Sequence, residues 1–155
     1  MRLRADMSGY EIKKAPISRE TAEQLSELDK LCVGAEGWSA ESFLSEADKA
    51  NGVVLYITEG ERIAALLSGY TAVGEADITS VAVHPDFRRR GYATALLKCF
   101  EEHLPKDTEY IFLEVRESNG GAVALYEKCG FERLAVRKDF YVLPRENAVV
   151  MRKPI

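Results

Sequence analysis

Residues 63–70, IAALLSGY, set the tightest limit on the fold. Alternate side chains of a strand face opposite sides. Here both sides are apolar, with Ile63, Ala65 and Leu67 on one and Ala64 and Leu66 on the other. Such a strand belongs in the middle of a sheet whose two faces are covered by helices. Its partner precedes it at residues 53–57, and Glu59-Gly60-Glu61 makes the tight turn of a hairpin. Val73-Gly74-Glu75 turns the chain again into a strand at 76–83, ended by His84-Pro85.

Helical spacing marks the remainder. Ser18 offers an N-cap, Glu20 favours the positive helix end, and Ala22, Leu25, Leu28, Leu31 and Cys32 recur at the helix period until Gly34 and Gly37. Ser39 caps a shorter helix with Phe43, Leu44 and Ala47 inward, ended by Gly52. A third buries Ala93, Leu96, Leu97, Phe100 and Leu104 before Pro105 stops it. A fourth, 119–128, turns Ala122, Leu125, Tyr126 and Cys129 inward, with Gly130 at its C-terminal end. Further strands are expected at 9–15, 110–115, 131–141 and 147–152, with Leu143-Pro144-Arg145-Glu146 joining the last two, and the first seven residues are expected to fray. The expected fold is α/β (α+β by some schemes), a single domain over residues 1–155 with its core at about 9–153. The central sheet is mixed and largely antiparallel, with six to seven strands and helices on both faces.

Composition narrows the function classes. A chain of 155 residues, 46% apolar and 30% charged, can bury a core and is not disordered. A net charge of -4 argues against direct nucleic-acid binding, and no window approaches a membrane span. The basic start lacks an apolar core and is not a secretory signal. Cys32, Cys99 and Cys129 read as free thiols in a reducing, cytoplasmic setting. His84 and His103 are the only histidines, so neither a metal site nor a Cys–His nucleophile has the right spacing.

The segment ITSVAVHPDFRRRGYATALL runs a strand into an arginine-rich, glycine-containing turn and then a helix. Glycine permits a left-handed backbone there, and the first amides of a helix point outward with a positive dipole behind them. With Arg88, Arg89 and Arg90 this is a diphosphate cradle; the competing reading is a solvated arginine run. It is neither a P-loop nor a dinucleotide fingerprint.

Glu114 sits in IFLEV, and a carboxylate on an apolar strand needs a reason. Two compete: an ion pair with Arg116 or Arg137, or a position in a cleft where it takes a proton. Tyr126, on the apolar side of the next helix, is either core or a proton donor to a departing thiolate. Asn119 is a helix cap or a partner for pantetheine amides. Trp38 and Phe43 are packing residues, or Trp38 walls a substrate groove.

At this point the sequence resembles a known family. The run Arg88-Arg89-Arg90-Gly91-Tyr92-Ala93 matches the R/Q-x-x-G-x-G/A signature of the GCN5-related N-acetyltransferases. EGWSAESF, FLEVRESNGGAVALYEKCGF and RKDFYVLPRENAVVM are similar to its bacterial branch that acetylates the N-terminal alanine of a small-subunit ribosomal protein. The resemblance spans about residues 9–153. It implies acetyl-CoA as cofactor and CoA as product, with the pyrophosphate on the backbone of Arg88, Arg89, Arg90, Gly91, Tyr92 and Ala93. The pantetheine is expected beside Val81, Ala82 and Val83, in a splay between that strand and the one holding Glu114, and against Asn119. Glu114 is then the base, Tyr126 protonates the coenzyme thiolate, and Phe140 and Tyr141 line the groove for an acceptor protein N-terminus. The departures, Gly120-Gly121, Asn147 and Phe140, bear on the acceptor more than on the chemistry. A monomer or weak dimer is expected.

A peptide α-amine titrates near 7.7 to 8.0, so direct attack on a held thioester needs no acyl-enzyme. A backbone N–H of residues 81–83 would hold the thioester oxygen. Two rivals remain: an acetyltransferase for a small amine (polyamine, amino acid or antibiotic), and a CoA-binding module without catalysis.

Overall fold

The computed structural model describes Arg2–Ala5 as backbone and residues 10–155 with side chains. The elements are β1 (Arg2–Ala5), β2 (Tyr10–Lys14), α1 (Arg19–Val33), α2 (Ala40–Asp48), β3 (Gly52–Glu59), β4 (Arg62–Ala72), β5 (Glu75–Val83), α3 (Tyr92–Glu102), β6 (Tyr110–Arg116), α4 (Gly120–Lys128), β7 (Glu132–Val142) and β8 (Arg145–Pro154). They form one sheet in the order β1-β2-β3-β4-β5-β6-β8-β7. Every neighbouring pair is antiparallel except β5 and β6, which are parallel.

All seven expected strands are present, and an eighth lies where fraying was expected. Arg2–Ala5 pairs with β2, completing its open edge through backbone bonds that need no apolar face. Met1, Asp6, Met7, Ser8 and Gly9, the last of these expected to open β2, lie outside the described residues.

The strand apolar on both sides, β4, sits inside the sheet between β3 and β5, and its residues 64–69 are buried. One core on one face gathers Tyr92, Leu96 and Phe100 of α3 and Val123 and Tyr126 of α4. A second, on the other face, gathers Ala22, Leu25 and Leu28 of α1 and Phe43 beside α2's Ala40. The buried stripe of α1 departs from the sequence reading: Leu31 is 59% exposed, and Asp29 is buried instead. Asp29 turns inward because two donors await it. The Trp38 N–H donates to Oδ2 at 2.7 Å and the Ser80 hydroxyl donates to Oδ1.

Ser18, Ser39 and Asn119 cap α1, α2 and α4 by accepting from the N–H groups of Thr21, Ser42 and Ala122, each at 3.1 Å. Two short 3-10 turns, Gly34–Glu36 and Pro85–Phe87, stand where the sequence suggested plain loop. Among the described residues no helix is long and apolar enough to cross a membrane.

Gly52 illustrates how tightly α2 meets β3. A Cβ there would lie 1.9 Å from the carbonyl oxygen of Glu46. Gly52→Ala is expected to lower stability by about 2 kcal/mol, read as a lower urea midpoint at unchanged slope.

Two irregularities shape the middle of the sheet. Pairing between β5 and β6 runs from Glu75↔Tyr110 to Ile78↔Leu113 and then stops, although β5 continues to Val83 and β6 to Arg116. The strands therefore part and leave backbone edges unpaired. At the same level β5 bulges at Thr79, between the pairs Gly69↔Ile78 and Ser68↔Ser80. An extra residue reverses the alternation. Ala76 and Ile78 face the α3/α4 core before it, and Val81 and Val83 face that core after it.

Candidate active site

The parting of β5 and β6 opens a cleft of about 580 Å³. Its walls come from both faces of the sheet. Asp29, Cys32 and Trp38 stand on the α1/α2 side, and Asn119, Ala122 and Tyr126 on the α3/α4 side. The cleft is thus a passage through the sheet.

Glu114 reaches it by strand alternation. Ile111, Leu113 and Val115 of β6 pack into the α3/α4 core, which turns Phe112, Glu114 and Arg116 the other way. Arg137 Nη1 donates to Glu114 Oε1 at 3.1 Å, while Oε2 is buried without a hydrogen-bond partner among the described residues. The ion pair and the place in the cleft, set against each other in the sequence, occur together: one oxygen is paired with Arg137, and the side chain lines the cleft. Arg116, the alternative partner, bonds Glu36 and Glu146 instead.

Tyr126 lies across the passage on α4. It is 7% exposed, and its ring meets Phe131 with centroids 5.8 Å apart. Among the described residues its hydroxyl has no hydrogen-bond partner, so the backbone tie expected of a core tyrosine is missing. Burial, with smaller contributions from Tyr141 and Cys129, drives its phenol far above the ordinary value. The group stays protonated at any working pH. A carboxylate thus stands on one wall and a neutral phenol on the opposite one.

The turn before α3 has the backbone of an anion cradle. Gly91 adopts φ 79, ψ 18 and caps α3 without a side-chain bond, and Arg89 has φ 64. The first closing bond of the helix runs from Ala95 N–H to Gly91 O, so the amides of Tyr92, Ala93 and Thr94 point out of the helix end. The side chains do less than the sequence suggested. Arg88 folds back to donate from Nε to Val83 O at 3.2 Å, and Arg90 donates to both oxygens of Glu59 at 2.8 Å. Tyr92 is buried with its hydroxyl on Glu59. Arg89, exposed like the other two, makes no such bond among the described residues.

Of the candidate residues, Val81, Glu114, Asn119, Tyr126, Trp38, Phe140 and Tyr141 line the one cleft. Ala82 and Val83 do not, since Ala82 is buried against α1 and α2 and Val83 faces the other core. The turn from Arg88 to Ala93 lies beyond the end of β5, outside the lining. Trp38 also packs on Phe43, with centroids 5.4 Å apart, so it serves core and cleft together.

Sequence reasoning missed Asp29, Glu36 and Asp77, which line the cleft as well. Burial, reinforced by Glu75 and Glu114 and opposed by a hydrogen bond from Tyr70, raises the Asp77 carboxyl above its ordinary value. The available signal was a charged residue set among apolar ones on α1 and β5. One cysteine does meet a histidine: Cys99 Sγ lies 3.9 Å from His103 Nδ1, one helical turn on. Cys99 is buried in the α3 core and away from the cleft, and that nitrogen also bonds the Cys99 carbonyl at 2.8 Å.

Residues 19–131 match the model described as the acetyltransferase (GNAT) family. The chain is 34% identical over 121 residues to the ribosomal protein bS18-alanine N-acetyltransferase of Escherichia coli (strain K12), covering 76% of this chain and 81% of that protein. It is 40% identical over 85 residues to the N-alpha-acetyltransferase of Saccharolobus solfataricus, covering 54% of this chain and 50% of that one. The crystal structure of the ribosomal-protein-S18-alanine N-acetyltransferase from Escherichia coli matches with a TM-score of 0.79 at 28% identity, over 93% of this chain and 94% of that chain.

Proposed function

The chain belongs to the acetyltransferase (GNAT) family, and on that footing we propose that it moves the acetyl group of acetyl-CoA directly onto a protein N-terminal α-amine, in particular the N-terminal alanine of a small-subunit ribosomal protein. It is an acetyl-CoA-dependent N-acetyltransferase. The finer reading rests on the 34% identical bS18-alanine enzyme and on one geometric observation: the passage through the sheet has a carboxylate on one wall and a neutral phenol on the other.

The residues suit the cofactor. The Gly91 turn presents uncapped helix amides, and nothing lies within 4 Å of where a Cβ would stand. Those amides would hold the diphosphate, and the unpaired edge of β5 would run beside the pantetheine. Asn119 spends Oδ1 on its helix cap and keeps its amide nitrogen for a pantetheine carbonyl. When bound, acetyl-CoA supplies a thioester carbonyl as the electrophile.

The acceptor enters from the α1/α2 side, between Trp38 and the pair Phe140 and Tyr141. Glu114 Oε2 takes a proton from its α-amine, directly or through water, as the nitrogen attacks. A backbone N–H of the β5 edge bonds the carbonyl oxygen as charge develops on it. Tyr126 gives its proton to the departing sulfur. With both reactants held together no covalent enzyme intermediate is needed. We place this reaction in the cytoplasm, where a ribosomal acceptor is made and where the thiols of Cys32, Cys99 and Cys129, none in a disulfide, stay reduced.

Tyr126→Phe is expected to lower kcat by about tenfold, less than most general acids contribute because a thiolate leaves readily. Thermal stability should change little, since the lost hydroxyl has no partner; an unchanged kcat would return Tyr126 to the core.

Acetylation of a polyamine is the second reading, favoured by Glu36, Asp77 and Glu114 along one cleft. Against it, Glu36 is already bonded to Arg116 and to two amides of β7 and its turn. Labelled acetyl transfer to short peptides beginning with Ala, Ser or Met, with polyamines alongside, decides between them. Transfer to polyamine and to no peptide would sink the proposal, and binding without any transfer would leave a CoA-binding module.

A further inference from the structure

Arg116 stands two residues beyond Glu114 on the same side of β6, yet it reaches away from that carboxylate. Nη1 donates to Pro144 O at 2.9 Å and Glu146 Oε1 at 3.2 Å. Nη2 donates to Glu36 Oε2 and Leu143 O, both at 3.0 Å. The guanidinium also lies 4.2 Å from the centre of the Tyr141 ring. Its two carboxylate partners extend the grip. Glu36 Oε1 accepts the N–H groups of Val142 and Leu143 at 2.8 Å, and Glu146 Oε2 accepts that of Ser118 at 2.6 Å.

Beyond its own ladder, the segment so held has little apolar packing to place it. β7 is an edge strand, exposed along nearly its whole length. Its pairing with β8 slips between Arg137 and Tyr141, where Asp139 takes φ 51. Val142 and Leu143 at its tip are 68% and 59% exposed. Apolar packing therefore cannot fix the hairpin. The Arg116 fork can, because its side chain is only 19% exposed and bonds to it are screened less than those of surface pairs.

We propose that Arg116 is a positioning residue for the acceptor. It straps the β7–β8 hairpin to the 3-10 turn after α1, and so fixes the wall that Phe140 and Tyr141 give to the α1/α2 side of the passage. Arg116 lines the cleft, but its donors are spent on Glu36, Glu146 and the carbonyls of Leu143 and Pro144 rather than turned into it. Glu36 is the second half of the strap, its carboxylate fully engaged. This rests on the reading that the acceptor enters by that face.

The test uses the full chain, an alanine-initiated hexapeptide and acetyl-CoA. Arg116→Met should raise the peptide KM by about tenfold or more, leave kcat within about threefold, and leave the acetyl-CoA Kd within about twofold. The Val142 and Leu143 amides should exchange hydrogen faster. Arg116→Lys should recover part of the lost KM, since it keeps the charge without the fork. Should the Met variant fail to fold, the Lys variant and Glu36→Gln carry the test, both expected to raise KM with kcat retained. Faster exchange with an unchanged KM would overturn the proposal and leave a purely structural clamp. A fall in kcat at constant KM would also overturn it, making Arg116 an adjunct of Glu114. A parent protein that binds acetyl-CoA but acetylates no α-amine would overturn the functional reading, and this inference with it.

Discussion

Glu114→Gln is expected to cut kcat by about a hundredfold or more while acetyl-CoA binds as before. The substitution keeps the shape of the side chain and removes its ability to take a proton. Oε2, the oxygen without a hydrogen-bond partner, is the atom whose loss matters. The other oxygen is paired with Arg137, whose side chain is 56% exposed and stays solvated when the pair is broken. The stability cost should accordingly be small. The residual activity carries its own signature. A peptide α-amine loses its proton near pH 7.7 to 8.0, so the variant should regain rate as pH rises through that range. Steady-state rates at saturating acetyl-CoA, taken against pH, provide the measurement. A variant as fast as the parent would remove Glu114 from the chemistry.

Gly91→Val should weaken acetyl-CoA binding by about thirtyfold, with the acceptor side untouched. No side chain obstructs the position, because nothing lies within 4 Å of the new Cβ. The effect is conformational. At φ 79 a β-branched residue is strained by about 1–3 kcal/mol, and the turn relieves that strain by opening. Opening it turns the amides of Tyr92 and Ala93 off their common target. About 2 kcal/mol corresponds to the thirtyfold figure. Gly91→Asn is the control, since asparagine tolerates left-handed backbone and should stay within a few-fold of the parent. Calorimetry finding equal affinity for the Val variant would rule out this cradle.

The large features were legible because each had a local cause. A strand apolar on both sides has to lie inside a covered sheet, and β4 does. Ser18, Ser39 and Asn119 announced their helices by side-chain chemistry, and Gly91 announced a left-handed turn. Glu114 stood out as a charge on an apolar strand. The features that stayed hidden depend on partners distant in sequence. Asp29 is buried in place of Leu31 because Trp38 and Ser80 supply donors, and no helical period foretells that. The bulge at Thr79 reverses which residues of β5 face each core, so alternation carried through 76–83 misassigns half of them. The arginine run showed its charge but not its geometry: Arg90 answers Glu59, and Arg88 answers a carbonyl at the end of its own strand. Arg116 was weighed only as a neighbour of Glu114, whereas its partners come from the turn after α1 and from the β7–β8 hairpin.

A continuous sheet is a wall, and the break in pairing after Ile78 and Leu113 makes a doorway in this one. On the proposed reading each reactant has a room of its own, furnished by a different pair of helices and a different core. Substitutions in α1, α2 or the hairpin can retune which amine is received without disturbing the grip on the coenzyme, and changes around α3 and α4 can do the converse. Only the two doorposts, β5 and β6, answer to both, which leaves acceptor choice free to diverge while the acetyl donor stays the same.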